Sequence, residues 1–195
     1  MLRPVIAATV AGLGSAAVWT FGRDLITTTG GLPERTTAAL WVLLGAAAVL
    51  GAFSGDLVRL LGLRRAWALT AILTAAGTAA LALAPGEPVV AAVAGAVFGG
   101  AYTSLSGVLI VWAGALRPRT TGQATATLFI ALTAGQALGA TATGALTERA
   151  GAPVAFWVCA AVLLAAAAVL PAGRGDPSLS RWRSGAQRGA SSGWR

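Results

Sequence analysis

The sequence has 195 residues, of which 56% are hydrophobic and only 10% are charged. Soluble domains carry about a quarter charged residues, so this composition excludes an ordinary soluble protein and predicts a chain surrounded largely by lipid. The formal net charge is +8, but the arginines lie in short breaks between apolar runs and not in a patch on a polar scaffold, which argues against nucleic-acid binding.

Histidine is absent from the sequence, and there is a single cysteine, Cys159. The lack of histidine excludes His-dependent catalytic triads, His-bound zinc and haem with a histidine ligand. We therefore expect no cofactor, no metal site and no enzymatic activity. Cys159 lies in an apolar run and is interpreted as a small buried hydrophobic residue.

Six stretches approach the roughly 20 predominantly apolar residues that a membrane-spanning helix needs. The first covers residues 5–21, and its continuation through Arg23 and Asp24 to residue 28 is left open. The second, residues 38–53, is expected to be the shortest. The others cover residues 66–84, 88–116, 121–146 and 152–170, with glycine, proline and charged residues between them. The predicted fold class is an all-α membrane protein of six transmembrane helices in residues 1–171.

The arginines predict how these helices are oriented, because cytoplasmic loops carry an excess of basic residues. With the N-terminus inside, the outer breaks hold only Arg23, Arg35 and Arg149, each next to an acidic residue. Both termini are thus expected in the cytoplasm of a cell-membrane protein. Residues 172–195 are expected to form a disordered, basic cytoplasmic tail, either solvated or resting on anionic headgroups.

Small residues dominate the apolar stretches, and two pairs have the G-x-x-x-G spacing: Gly95 with Gly99, and Gly135 with Gly139. Small residues let helix backbones approach closely in lipid. The pairs are compatible with tight packing inside one bundle, with a sliding seam between helices, or with both.

The segment between the second and third stretches reads Gly55-Asp56-Leu57-Val58-Arg59-Leu60-Leu61-Gly62-Leu63-Arg64-Arg65. It resembles the cytoplasmic signature G-x-x-x-D-R-x-G-R-R of the major facilitator superfamily. Gly55, Gly62 and Arg64 fit the signature, whereas Arg59 stands where the acid is expected. The segment from Thr133 to Gly139 is similar to the eleventh helix of that family, and the segment from Ala17 to Asp24 resembles the seventh helix of its YbfB/YjiJ-type branch.

The resemblance covers nearly the whole chain up to Leu170 and corresponds to one six-helix half of such a transporter. Because the family builds its substrate path between two halves, the chain alone lacks one wall. It is therefore either a fragment, a truncated product, or a half that pairs with a second six-helix chain or with itself as a dimer.

Ionisable and polar residues at membrane depth are functional hypotheses by default. Arg23 and Asp24 either face a water-filled cavity or lie at the outer interface, and Trp19 shares the helix face of Arg23. The resemblance implies that the first, second, fourth and fifth helices line the cavity. The candidates for a substrate cavity are Trp19, Arg23, Asp24, Tyr102, Ser106, Thr133 and Gln136, and each of the polar ones is compatible with helix–helix hydrogen bonding instead.

A second set of candidates lies at the predicted cytoplasmic gate: Gly55, Asp56, Arg59, Gly62, Arg64 and Arg65. Orientation alone explains the arginines, whereas Asp56 favours a charge network that changes between states. Four tryptophans near predicted helix ends are interpreted as anchors in the aromatic belt: Trp41, Trp67, Trp112 and Trp157.

The expected function is transport of a small solute across the lipid bilayer by alternating access, without covalent chemistry. The alternative is a membrane bundle that scaffolds or regulates a partner without transporting anything, or a non-functional fragment. A rhomboid-like intramembrane protease is disfavoured because the sequence lacks the histidine base. The substrate, the direction of transport and proton coupling do not follow from the sequence.

Overall fold

Six helices run through the part of the chain that the computed structural model describes, residues 1–171. They are α1 (Leu2–Thr29), α2 (Glu34–Leu61), α3 (Leu63–Leu83), α4 (Pro88–Leu116), α5 (Pro118–Ala150) and α6 (Ala152–Ala168). The first five are long and apolar enough to cross a membrane, and α6 is a shorter apolar helix. The predicted all-α bundle of six helices is confirmed. The predicted tail, residues 172–195, lies outside the described residues.

The structure decides the helix boundaries that the hydropathy pattern left open or misplaced. α1 continues through Arg23 and Asp24 to Thr29. The prediction that the second helix is the shortest was wrong, because α2 has 28 residues. Its last turns hold Asp56 and Arg59, and charged residues at a helix end do not interrupt backbone hydrogen bonding. The predicted long break after Gly55 reduces to Gly62, which has φ 79° and ends α2.

Three of the helices depart from regular α-geometry, and in α5 the departure is only the first turn, Pro118–Thr120, which is a 3₁₀-helix. In α1 the segments Ala17–Phe21 and Leu25–Thr29 are π-helical and flank Gly22–Asp24. In α2 the segment Ala48–Phe53 is a 3₁₀-helix. Insertions of this kind often accompany functional sites or hinges.

The helices alternate in direction along the chain. The α1–α2 and α3–α4 connections meet at one end of the bundle, where a Cβ added to Gly86 would lie 2.7 Å from the carbonyl oxygen of Gly30. At the other end, the indole nitrogen of Trp67 at the start of α3 donates a 3.0 Å hydrogen bond to the carbonyl oxygen of Ala166 near the end of α6. Arg59, Arg64 and Arg65 lie at this second end. Because the helices alternate, the breaks rich in arginine lie at one end of the bundle, and the breaks that pair arginine with an acidic residue lie at the other. The predicted orientation requires this separation.

α1, α3 and α4 are the most buried of the five long helices. α1 packs against α5 and α6, α3 packs against α4 and α6, and α2 packs mainly on α4. Only 11% of the apolar stretch of α2 and 28% of that of α5 are buried, against 56% in α1, α3 and α4. Large faces of α2 and α5 are therefore uncovered by the described residues.

Glycines allow the closest helix contacts. On the α1–α5 seam, a Cβ at Gly135 would collide with the carbonyl oxygen of Thr9, and one at Gly139 with that of Leu13. On the α2–α4 seam, a Cβ at Gly99 would collide with the carbonyl oxygen of Leu44. Both glycines of the pair Gly135 and Gly139 thus lie at close helix contacts, whereas in the other pair only Gly99 does, because a Cβ at Gly95 would make an ordinary contact at 3.9 Å. The sliding-seam hypothesis stays a prediction.

Two tryptophans predicted as interfacial anchors are buried instead. Trp67 is fully buried, Trp112 is nearly so, and their rings meet edge to face with centroids 5.6 Å apart. An anchor in the aromatic belt must reach the surface of the bundle, and neither ring does so. The interpretation as anchors was therefore wrong for Trp67 and Trp112. Trp157 is half exposed, so its interpretation as an anchor stays a prediction. Cys159 is buried, as predicted, with its sulfur 3.2 Å from the hydroxyl of Thr143.

Candidate functional site

Three of the predicted cavity residues meet, although they come from three different helices. The side-chain amide of Gln136 on α5 donates a 2.8 Å hydrogen bond to the hydroxyl of Tyr102 on α4. The ring of Trp19 on α1 meets the Tyr102 ring edge to face, with centroids 5.5 Å apart and an interplanar angle of 67°. We call Trp19, Phe98, Tyr102 and Gln136 the aromatic cluster.

Phe98 is the member of this cluster that sequence reasoning missed. It lies one turn before Tyr102 on α4, and the two rings stack with an interplanar angle of 5° and centroids 5.7 Å apart. Trp19 also meets Phe98 edge to face at 5.7 Å. The available signal was the four-residue spacing of two aromatic residues on one helix.

The aromatic cluster lies at the middle of the helices. Tyr102 is the central residue of α4, which has 29 residues. Gln136 is two residues past the centre of α5, and Trp19 lies within about one turn of the centre of α1. The cluster therefore lies halfway along the bundle, at about equal distance from its two ends.

Exposure differs sharply within the aromatic cluster. Phe98 and Tyr102 are buried, at 0% and 7% exposure, whereas Trp19 is 38% exposed. Trp19 belongs to the π-helical segment Ala17–Phe21, where the wider turn changes the direction of the side chains. The two buried rings therefore support an indole whose remaining surface is open.

Two further cavity candidates, Ser106 and Thr133, lie on the same helices as Tyr102 and Gln136. Ser106 is half buried and donates a 3.1 Å hydrogen bond to the carbonyl oxygen of Tyr102. Thr133 is exposed on α5 and donates to the carbonyl oxygen of Phe129 at 2.9 Å. Both hydroxyls satisfy their own helix backbone in this structure.

Arg23 and Asp24 are exposed and lie beyond the cluster, toward the end of α1. The hydroxyl of Thr28 donates a 2.6 Å hydrogen bond to the carbonyl oxygen of Asp24, and that of Thr27 donates to the carbonyl oxygen of Arg23. These bonds satisfy backbone carbonyls next to the π-helical segment. The only ion pair within residues 1–171 joins two other residues, so the guanidinium and the carboxylate here are unpaired in the described part of the chain.

That ion pair belongs to the predicted gate. Arg59 and Asp56 are joined at 3.1 Å within α2, with side-chain exposures of 83% and 59%. Arg64 and Arg65 are exposed at the start of α3 and take no part in it. The glycines differ from each other, because Gly55 is helical with open space around it whereas Gly62 has a positive φ. The structure brings together only two of the six gate candidates.

The hydrogen bond between Gln136 and Tyr102 provides a direct test of this arrangement. We expect the variants Tyr102→Phe and Gln136→Leu each to destabilise the protein, and the double variant to cost less than the two together. The coupling should be about 0.6 kcal/mol and at most about 1.7 kcal/mol, the average and the maximum found for interhelical hydrogen bonds in a membrane protein. Unfolding of the four proteins in a double-mutant cycle measures it, and strictly additive effects would show that the bond contributes nothing.

A family model described as "Uncharacterised MFS-type transporter YbfB" matches residues 3–172. The match therefore covers all six helices and each residue of the aromatic cluster. A comparison with curated proteins finds no match.

Proposed function

Because the chain belongs to the family of MFS-type transporters related to YbfB, we propose that it moves a small solute across the cell membrane by alternating access. The family match and the apolar helices make it a multi-pass membrane protein of a transporter family. In the proposed mechanism no covalent bond changes, and the solute crosses because its site opens to one side of the membrane and then to the other.

The observation that carries this proposal is the position of the aromatic cluster. Transporter sites lie near the bilayer midplane, and irregular helix segments often form them. Here α1 is π-helical at Trp19, and α4 and α5 contribute Tyr102 and Gln136 at the same depth. An open aromatic surface beside polar groups is typical of small-molecule sites.

The second wall of the site is proposed to come from another six-helix bundle, either in a second chain or in a second copy of this one. Two features support this. Few residues of α2 and α5 are buried by the rest of residues 1–171, and the polar side chain of Thr133 is exposed on α5 near its centre. A polar group that faces a partner or a cavity avoids the cost of facing hydrocarbon.

The orientation and the gate are part of the same proposal. The arginine-rich end of the bundle is proposed to be cytoplasmic, which places both ends of the bundle inside the cell. The ion pair between Asp56 and Arg59 lies at this end on α2. An exposed pair contributes little to stability, which leaves it free to exchange partners between states.

Cysteine labelling from the two sides of the membrane tests alternating access without knowledge of the solute. Cys159 is the only cysteine, so Cys159→Ala gives a cysteine-free background. In that background we expect Thr133→Cys to react with a membrane-impermeant thiol reagent in intact cells and also in inverted vesicles, because water reaches a cavity residue from each side in turn. Mass spectrometry of the labelled chain quantifies the reaction.

Val158→Cys is the matched control. Val158 is 46% exposed and lies near the centre of α6, at a depth similar to that of Thr133. If it faces hydrocarbon, its thiol stays protonated and unreactive toward the aqueous reagent from both sides. Labelling of Thr133→Cys from one side only, or from neither, would contradict alternating access.

A further inference from the structure

Trp19 and Arg23 are both exposed on α1, and their four-residue spacing places them on the same side of that helix. They are four residues apart, which corresponds to one helical turn and about 6 Å along the helix axis. The Trp19 ring is held by edge-to-face contacts with two buried rings. Its exposed part is therefore a preorganised apolar surface, and its π-system favours contact with another aromatic ring.

Arg23 adds a positive charge to this face. Its side chain is exposed, and within residues 1–171 it forms no ion pair. A guanidinium at membrane depth is costly unless an anion accompanies it. Its planar fork matches a carboxylate through two parallel hydrogen bonds. Asp24 does not supply this partner, because adjacent residues on a helix point about 100° apart.

The same arrangement disfavours other solutes. An organic cation would be attracted by the Trp19 ring but repelled by Arg23 on the same face. An uncharged aromatic solute would leave the guanidinium without an anion. A saturated carboxylate would satisfy Arg23 but would lose the favourable ring contact with the indole.

Resting on the proposed transport function, we propose that the solute is an aromatic carboxylate, whose ring packs on Trp19 and whose carboxylate binds Arg23. Gln136 and Tyr102 are positioning residues in this arrangement, because their hydrogen bond fixes the ring that supports the indole. Trp19 and Arg23 are about one helical turn apart, so a small molecule whose ring packs on the indole can also place its carboxylate near the guanidinium.

Binding of benzoate to the full chain in lipid nanodiscs tests the proposal, with saturation-transfer NMR as the readout. Arg23→Gln should weaken benzoate binding roughly ten- to hundredfold, the size expected when a charge-assisted hydrogen bond is lost. Trp19→Leu should also weaken it, and Trp19→Phe should retain part of the affinity because a ring remains. Arg35→Gln removes another exposed guanidinium, at the start of α2 and outside both sets of candidates, so it is the control and should not weaken binding. The melting temperatures of all variants verify that they fold.

Two further ligands distinguish the contribution of the aromatic ring from that of the negative charge to binding. Cyclohexanecarboxylate and benzamidine should both bind more weakly than benzoate. Equal binding of either probe, or benzoate binding unchanged by Arg23→Gln, would overturn the proposal.

The Thr133→Cys labelling experiment distinguishes failure of this inference from failure of the transport function. Benzoate should slow the labelling if it occupies the site. Two-sided labelling that benzoate does not slow, together with no benzoate binding, would overturn the substrate class while transport stands. One-sided labelling with benzoate binding intact would overturn transport while supporting the binding site.

Discussion

Replacing Gly135 by alanine should force α1 away from α5 and lower the melting temperature of the purified protein by roughly 5 to 10 °C, the effect of an overpacked core. The added Cβ would collide with the carbonyl oxygen of Thr9 and lie 3.1 Å from the backbone nitrogen of Leu13. Backbone atoms inside a helix cannot move aside individually, so the helices must separate as whole units.

The same change at Gly122 is the control. Gly122 lies on α5 as well, and a Cβ added there meets nothing within 4 Å. Alanine is the better helix former by about 1 kcal/mol, so Gly122→Ala should leave the melting temperature unchanged or raise it. Thermal unfolding in one detergent compares the two variants. Equal melting temperatures would show that α1 and α5 do not approach as closely as the structure indicates.

The helix displacement caused by Gly135→Ala should also disturb the aromatic cluster. Gln136 is the next residue on α5, and its hydrogen bond to Tyr102 is only 2.8 Å long. A displacement of α5 would break this bond. Close helix packing through small residues therefore determines whether a polar residue of α5 reaches an aromatic residue of α4.

Gly62→Ala should destabilise the protein by about 1 to 3 kcal/mol, because alanine strongly disfavours the backbone conformation found there. Gly62 has φ 79° and ψ 155°, a region occupied almost only by glycine. It is the single residue between α2 and α3, so no neighbouring loop can absorb the strain. Nothing surrounds the position within 4 Å, and the cost is therefore purely conformational. The free energy of unfolding measures it.

Gly55→Ala distinguishes this conformational cost from a general effect of changing the predicted gate. Gly55 is seven residues earlier, inside the helical part of α2, and also has open space around it. Its replacement should be neutral or stabilising by up to about 1 kcal/mol. A destabilisation of the same size at both glycines would mean that the α2–α3 connection does not require a positive φ.

The hydropathy of the sequence was sufficient to predict a six-helix membrane bundle and its alternating arginine pattern. Hydrocarbon leaves the backbone no partner except itself, so an apolar run of sufficient length must form a helix whatever surrounds it. The helical spacing of Trp19 and Arg23, and the polar residues of α4 and α5, likewise follow from local periodicity. Three of the seven cavity candidates were brought into one cluster.

Only the tertiary structure decided which faces meet. Trp67 and Trp112 lie near predicted helix ends, as interfacial anchors do. They are nevertheless in the core, because the faces of α3 and α4 that carry them pack against each other. Trp19 meets Phe98 and Tyr102 because of how α1 is rotated against α4, which no single-helix pattern contains. Hydropathy is a sum along one segment, whereas contacts depend on the depth, rotation and separation of two helices, and here backbone approach at glycines sets that separation.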